Sequence, residues 1–392
     1  MLMTRFESTI LQVIPRLDSG GAERTCLEVA SAVSRAGGRA IVATAGGRLA
    51  SEIENAGGEI VLAPVDSKNP AVMMANGAKL TKLINDERID LIHARSRAPA
   101  WSALRAARRT GIPFVTTYHG AYSGGGPVKR LYNSSMLRAD RIIANSRFTA
   151  DRILELNAGT KDRLRVIPRG VDTDLFDPQK VSDDRINHAS AGWGLGENPG
   201  FKILLPARLT PWKGHETAIE AIHSLKQRSE HKDATGQDTG LTLVFCGGAQ
   251  GRRDYERRLR AMIDERGVRA MVHMVGECAD MPAAYAWADV VLAPSTRPEA
   301  FGRVVVEAGA MGKPVIATDH GGARETVIDG ETGILVEPGN AEALGLAIDT
   351  LRAQPAEARM RIGEIARARA SSVYSSAAMC DATLGVYREL LA

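Results

Sequence analysis

The sequence predicts an α/β chain of two doubly wound parallel sheets, and three observations predict it. The chain has 392 residues, more than one core ordinarily organises, so two domains of under about 200 residues each are expected. Short apolar runs alternate with amphipathic stretches along both halves, the pattern of strands covered on both faces by crossover helices. Between the halves lies a polar, glycine-rich break, "VSDDRINHASAGWGLGENPG" (181–200), which reads as a linker or irregular crossing. The expected domains are 1–180 and 181–373, with a C-terminal helix over about 374–392 packing back on the first.

The strands of the first half are expected at "LQVIP" (11–15), "AIVAT" (40–44), "EIVLA" (59–63), "DLIHA" (90–94), "FVTTY" (114–118) and "RIIAN" (141–145). Between the first two, "GAERTCLEVASAVSRAG" places Cys26, Val29, Ala30 and Val33 at helical spacing. Alternation restarts with "KILLPA" (202–207), "LTLVFCGG" (241–248), "MVHMVG" (271–276), "VVLAPS" (290–295), "PVIATD" (314–319) and "TGILVE" (332–337). Sheets of this kind bind ligands at the carboxyl ends of their strands, so two of them facing across a cleft would place an active site there.

Four scattered cysteines without CxxC spacing suggest neither a zinc site nor a disulfide framework, and point to a reducing cytoplasm. No apolar run approaches the roughly 20 residues of a membrane span, and the opening residues do not read as a signal peptide. Charge is uneven. Residues 1–178 carry 25 Lys/Arg against 18 Asp/Glu, and the remainder 25 against 28. A basic first half points to an anionic partner. No nucleic-acid motif or stacking platform accompanies the charge, so nucleic acid is disfavoured. Basic stretches at 99–109 and 127–141 set Trp101 with Leu104, and Val128 with Leu131, Tyr132 and Met136, at helical spacing. Such faces can lie on anionic lipid or pack on the sheet, and the spacing fits both.

The residues able to do chemistry follow strands. Gly20 and Gly21 precede a helix, where bare amides can approach a phosphate, although a plain turn has the same form. His119 follows "TTY", and Arg95 and Arg97 follow "LIHA"; the two arginines would meet an anionic acceptor or simply solvent. In "LLPARLTPWKGHE", Arg208 and Lys213 stand at a strand's mouth, like a clamp for a diphosphate. In "RPEAFGRVVVEAGAMGKPVIATDHGG" (297–322), Glu299 lies in a loop and Glu307 inside a helix, a suitable place for a carboxylate that takes ribose hydroxyls. "DTD" (172–174) has the form of a metal-binding pair, but its context favours a turn.

Together, Arg208-x4-Lys213-Gly214, Glu299-x7-Glu307, "GGAE" (20–23) and "YHG" (118–120) resemble the retaining glycosyltransferases of family 4, which have the GT-B fold of two Rossmann-like domains. "SKNP", "HARSRAPAWSA", "IPRGVD", "AQGRR", "DMPAAYA" and "DHGGARETV" are similar to the bacterial subgroup that contains lipopolysaccharide core transferases. The resemblance implies a UDP- or GDP-sugar donor, no cofactor, no metal and a lipid-linked glycan acceptor. Arg208 and Lys213 would neutralise the diphosphate. Glu299 would contact the transferred sugar, with the amides of Phe301, Gly302 and Arg303 close by. Glu307 would take the ribose, Gly21 would approach the phosphates, His119 the sugar, and the backbone near Cys278 the nucleobase. A sugar-nucleotide epimerase or a non-catalytic nucleotide-sugar binder are the alternatives.

Overall fold

The computed structural model of the chain describes residues 6–18, 20–120, 126–195, 198–232 and 240–392. They form two compact units, one of Met1–Gly170 with Ser376–Ala392 and the other of Val171–Ser375.

The first unit runs β1 (Thr9–Val13), α1 (Gly21–Arg35), β2 (Arg39–Thr44), α2 (Ala50–Asn55), β3 (Glu59–Leu62), α3 (Pro70–Asp86), β4 (Leu91–Ala94), α4 (Arg97–Thr110), β5 (Phe114–Tyr118), α5 (Pro127–Leu137), β6 (Arg141–Ala144), α6 (Arg147–Leu156) and β7 (Leu164–Val166). Its sheet is parallel throughout, in the order β3-β2-β1-β4-β5-β6-β7. Successive residues of a strand point to opposite faces, and both faces are covered. Ile10, Val42, Leu91, Val115 and Ile143 enter one core, while Leu11, Ile41, Ile92, Phe114 and Ile142 enter the other. That is why these strands read as continuous apolar runs. The strand β7 escapes sequence reading: three residues at the sheet edge, none fully buried, leave no apolar signal.

The second unit runs α7 (Asp183–Ser190), β8 (Phe201–Pro206), α8 (His215–Lys232), β9 (Leu241–Cys246), α9 (Arg253–Glu265), β10 (Val272–Gly276), α10 (Met281–Trp287), β11 (Val290–Ala293), α11 (Arg303–Ala310), β12 (Val315–Thr318), α12 (Ala323–Thr326), β13 (Gly333–Val336), α13 (Ala341–Ala353) and α14 (Ala356–Val373). Its parallel sheet has the order β10-β9-β8-β11-β12-β13. Both sheets reverse direction once, at β1/β4 and at β8/β11, and ligands of doubly wound sheets bind outside such switch points.

Two stretches differ from what the sequence suggests. The break at 181–200, expected as a linker or irregular crossing at the start of the second domain, contains a helix, α7. Ser182 caps it by accepting from Arg185 N–H, and Asp183 and Asp184 occupy its first turn. Arg185 forks onto Asp280, with Nη2 2.8 Å from Oδ1, and Trp193 meets Trp287 edge-on at 5.2 Å. Partners about 90 residues away hold this polar segment, and no local pattern announces them. Residues 171–180 also go with the second unit, for Val171 N–H donates to Tyr374 O at 2.7 Å and Arg367 Nη2 to Asp177 Oδ1 at 2.7 Å. Within "DTD", Asp172 Oδ1 accepts from the amides of Asp174 and Leu175, each at 3.0 Å, which is an Asx turn.

The last helix, α15 (Ser376–Leu391), lies in the first unit. Its Tyr387 hydroxyl is 2.6 Å from His93 Nδ1 on β4, and Glu389 Oε1 accepts from Arg141 and Arg165, each at 2.7 Å.

Candidate active site

In the second unit Lys213 and Glu299 meet at the β8/β11 switch point. After β8 the chain makes a tight turn over Pro211–Lys213 and enters α8 through Gly214. Gly214 has φ +79, and a Cβ on it would stand 1.9 Å from Pro294 O. Only glycine lets this turn press against the end of β11. Thr296 N–H, just beyond β11, donates to Trp212 O at 2.8 Å. Lys213 Nζ is thereby brought 2.8 Å from Glu299 Oε1, with the two side chains 12% and 20% exposed. It also lies over the Trp212 ring, 4.5 Å from the centroid.

Glu299 is fixed from several sides. Ser295 Oγ donates to the same oxygen, and Glu299 O accepts from Gly322 N–H at 2.8 Å. Cβ atoms on Gly321 and Gly322 would each stand 2.5 Å from backbone atoms, of Glu299 and Phe301 respectively. The Gly-Gly pair ending the 297–322 segment therefore lets one loop pack on another. His320 Nε2 sits 2.7 Å from Ser295 O and closes the cluster.

Glu307 stands on α11, whose N-cap is Gly302 at φ +82. Arg303 Nη2 is 2.9 Å from Glu307 Oε1, and Tyr285 Oη donates to Oε2 at 2.9 Å. Phe301 is buried against Tyr374, 5.6 Å between centroids, so its backbone rather than its ring is available. Arg208 is exposed, and its Nη1 donates to Gln250 Oε1 at 3.2 Å. Cys278 follows β10, its thiol donates to Asp280 O at 3.3 Å, and the neighbouring Cys246 at the end of β9 holds it below the usual thiol range. Beneath the Lys213 turn, burial pushes His215 down to about 4, so it is neutral. The carboxylate partners Ser295 and Tyr285 escape sequence reasoning. Ser295 closes the strand-end run "VVLAPS", the one signal that could have found it, whereas Tyr285 sits in an ordinary apolar helix.

The first unit presents a different picture. Gly20 caps α1 and Gly21 opens it, with the Glu23 carboxylate over Gly20: a Cβ there would stand 2.2 Å from its Oε2. His119, just past β5, has both ring nitrogens buried without a hydrogen-bond partner among the described residues. Burial, then Arg169 and Arg95, push it well below the usual imidazole range. Arg97 Nη1 donates to Asn133 Oδ1 at 3.2 Å.

Arg95 is not where the sequence suggests. It is 1% exposed, and Nε donates to Gln12 Oε1 at 2.7 Å. It lies close enough to Cys26, Cys380 and Tyr387 to act on each, which places it in the core beneath α1 and α15, not toward solvent.

Two family models match the chain: "Glycosyltransferase Family 4" over residues 19–175 and "Glycosyl transferases group 1" over 194–369. The GDP-mannose-dependent alpha-(1-6)-phosphatidylinositol monomannoside mannosyltransferase of Mycolicibacterium smegmatis is 30% identical over 293 residues, 72% of each chain. The D-inositol 3-phosphate glycosyltransferase of an Arthrobacter species is 29% identical over 69% of this chain. The chain spans 63% of that relative's length, and 60% of a second of the same name from Xylanimonas cellulosilytica. Among solved structures, a glycosyltransferase of Rickettsia africae superposes with a TM-score of 0.89 at 34% identity, covering 98% and 99% of the two chains. Anabaena Alr3699/HepE in complex with UDP-glucose gives 0.82 at 25% identity, covering 97% and 100%. The lipopolysaccharide-biosynthesis glycosyltransferase WaaG gives 0.72 at 20%, over 96% and 99%, and shares the fold.

Proposed function

The chain belongs to glycosyltransferase family 4 and has the GT-B fold, and from that membership we propose that it moves a hexose-type sugar from a nucleotide diphosphate sugar to a hydroxyl of a lipid-linked glycan, with retention at the anomeric carbon. The observation that carries the proposal is the Lys213–Glu299 pair at the switch point. The ammonium of Lys213 has three donors, so it can hold Glu299 and a phosphate oxygen together. Arg208 offers a planar fork for the second phosphate. Charge on the diphosphate grows as the glycosidic bond breaks, and fixed cations favour that state over the bound donor. No divalent ion is required in this scheme.

Glu299 takes the hydroxyls of the transferred sugar, and the amides at Phe301, Gly302 and Arg303 lie beside it. Glu307 takes the ribose, its carboxylate aimed by Arg303 and Tyr285. The loop after β10, at Cys278, receives the base, uracil or guanine. Gly20 and Gly21 supply amides to the phosphates once Glu23 swings aside, since two anions at one helix start repel. A neutral His119 bonds a sugar hydroxyl without adding charge. The departing diphosphate accepts the proton of the attacking hydroxyl.

A relative named for a phosphatidylinositol-mannoside acceptor supports a lipid-linked substrate; a lipopolysaccharide core acceptor rests on the motifs alone. Among the described residues no helix is long and apolar enough to cross a membrane. The basic first domain would reach such an acceptor by peripheral contact with anionic lipid on the cytoplasmic face, Arg97 being the remaining candidate for an acceptor contact. Thermal-shift screening of UDP- and GDP-sugars, followed by turnover with and without glycolipid, tests the proposal. Stabilisation of about 2.7 kcal/mol is expected at 100-fold excess over Kd. Epimerised sugar nucleotide released without an acceptor, or binding without turnover, would overturn it.

A further inference from the structure

The first domain carries a feature that the transfer chemistry does not use. Between α3, α4 and α5 runs a groove of about 570 Å³. Its floor is Met73, Trp101 and Leu104, and the tips of Met74 and Leu131 form its walls. Leu104 is 6% exposed, but Met74 and Leu131 are 51% and 59% exposed. The amphipathic faces of α4 and α5 therefore do both things open to them: part packs inward, and part lines an open apolar channel.

The groove is built, not loose. Trp101 Nε1 donates to Tyr132 O at 3.0 Å, and the Arg138 guanidinium sits 5.4 Å from the indole centroid. Gly77 on α3 allows Arg105 to lie across that helix, for a Cβ there would stand 2.6 Å from Arg105 Cδ. Arg105 Nη1 then reaches Met74 Sδ at 3.4 Å. Among the described residues the charged members of the lining are Lys68, Arg105 and Arg108, with no carboxylate.

We propose that this groove takes one acyl chain of an anionic membrane phospholipid, whose phosphate meets Lys68, Arg105 and Arg108 at the rim. Apolar walls favour hydrocarbon over water, the volume lies in the range of ligand sites, and a rim of one sign selects an anionic headgroup. The proposal rests on the reading that this domain works at an anionic membrane, and adds to electrostatic contact the entry of a chain beside Trp101.

The test uses the full chain with vesicles of phosphatidylglycerol or phosphatidylcholine, each brominated on its acyl chains. Brominated phosphatidylglycerol should quench tryptophan fluorescence, and Trp101→Phe should abolish most of that quenching. Met74→Glu with Leu131→Glu, both at exposed positions, should weaken association with phosphatidylglycerol roughly tenfold or more. Lys68→Glu should weaken it by about fivefold. Donor hydrolysis in solution should be unchanged in the double variant. Normal vesicle binding by that variant, sedimentation without quenching, or equal binding of phosphatidylcholine would overturn the proposal. So would a change in oligomeric size with no change in lipid binding, which would assign the groove to another copy. Failure of these lipid measurements with donor turnover intact overturns only the groove; absent turnover overturns the transferase reading and leaves the lipid result standing.

Discussion

The two switch points have the same topology and opposite electrostatics. At β8/β11 the carboxylates are already matched, Glu299 by Lys213 and Ser295, and Glu307 by Arg303 and Tyr285. At β1/β4 a buried Arg95 leaves Nη2 without a partner among the described residues, as His119 beyond β5 does both ring nitrogens. Matched groups hold their geometry before a ligand arrives, so little reorganisation is needed as charge develops. Buried groups without partners are costly and raise the value of whatever bonds to them. The polar groups at the second domain's switch point are thus preassembled in pairs, while in the first domain Arg95 and His119 are buried with polar atoms left over.

Removing the cations of the β8/β11 side should have the largest effect. Arg208→Ala or Lys213→Ala should lower kcat by on the order of 10²–10³, with a smaller change in donor affinity. Near-normal turnover in either variant would take that residue out of the site.

Next come the carboxylates. Glu307→Ala should weaken nucleoside diphosphate binding roughly tenfold and spare the chemical step, while Glu299→Ala should do the reverse. Titration of each variant with free UDP and GDP separates them. Loss of nucleotide affinity in Glu299→Ala alone would exchange the two roles.

Acid should expose the cost of the buried imidazoles in both domains. Burial, first among the causes, holds His93, His119 and His215 below the usual 6.5, His215 at about 4. Between those values the unfolded chain binds more protons than the folded one. Stability is therefore full above pH 6.5 and falls as pH drops toward the folded values, by up to about 1.4 kcal/mol per pH unit for each imidazole. Urea unfolding at about pH 7 and about pH 5 measures this slope, and His215→Phe should reduce it. Glu389, held down to about 2 by Arg141 and Arg165, loses its contribution only below the usual carboxylate range, outside that interval. A flat profile between the two pH values would contradict the buried neutral state.

A smaller effect tests the placement of Arg95. Tyr387→Phe, which removes the bond to His93, should cost about 1 kcal/mol and leave turnover unchanged. A fall in acceptor use with stability intact would return Arg95 and its neighbours to the acceptor. The smallest effect is none at all: EDTA should leave turnover unaltered, and loss of activity restored by manganese would reopen "DTD" as a metal site.

Local pattern carried much of this. Parallel strands buried on both faces must be continuous apolar runs, so the central strands stand out as such, and residues that follow them must lie at the ligand-binding edge. That is why Arg208, Lys213 and Glu299 stand out as residues beyond strand ends, whereas Glu307 lies inside a helix and only the resemblance points to it. What the sequence could not contain was the partner of each group. Tyr285 reaches Glu307 from another helix, α7 is held by Asp280 and Trp287, and Arg95 turns inward because α15, almost 300 residues later, returns to cover it. Strand periodicity says which face a residue takes. Only packing between distant elements decides whether a charged side chain at a strand's end is solvated, paired or buried, because that depends on what covers it.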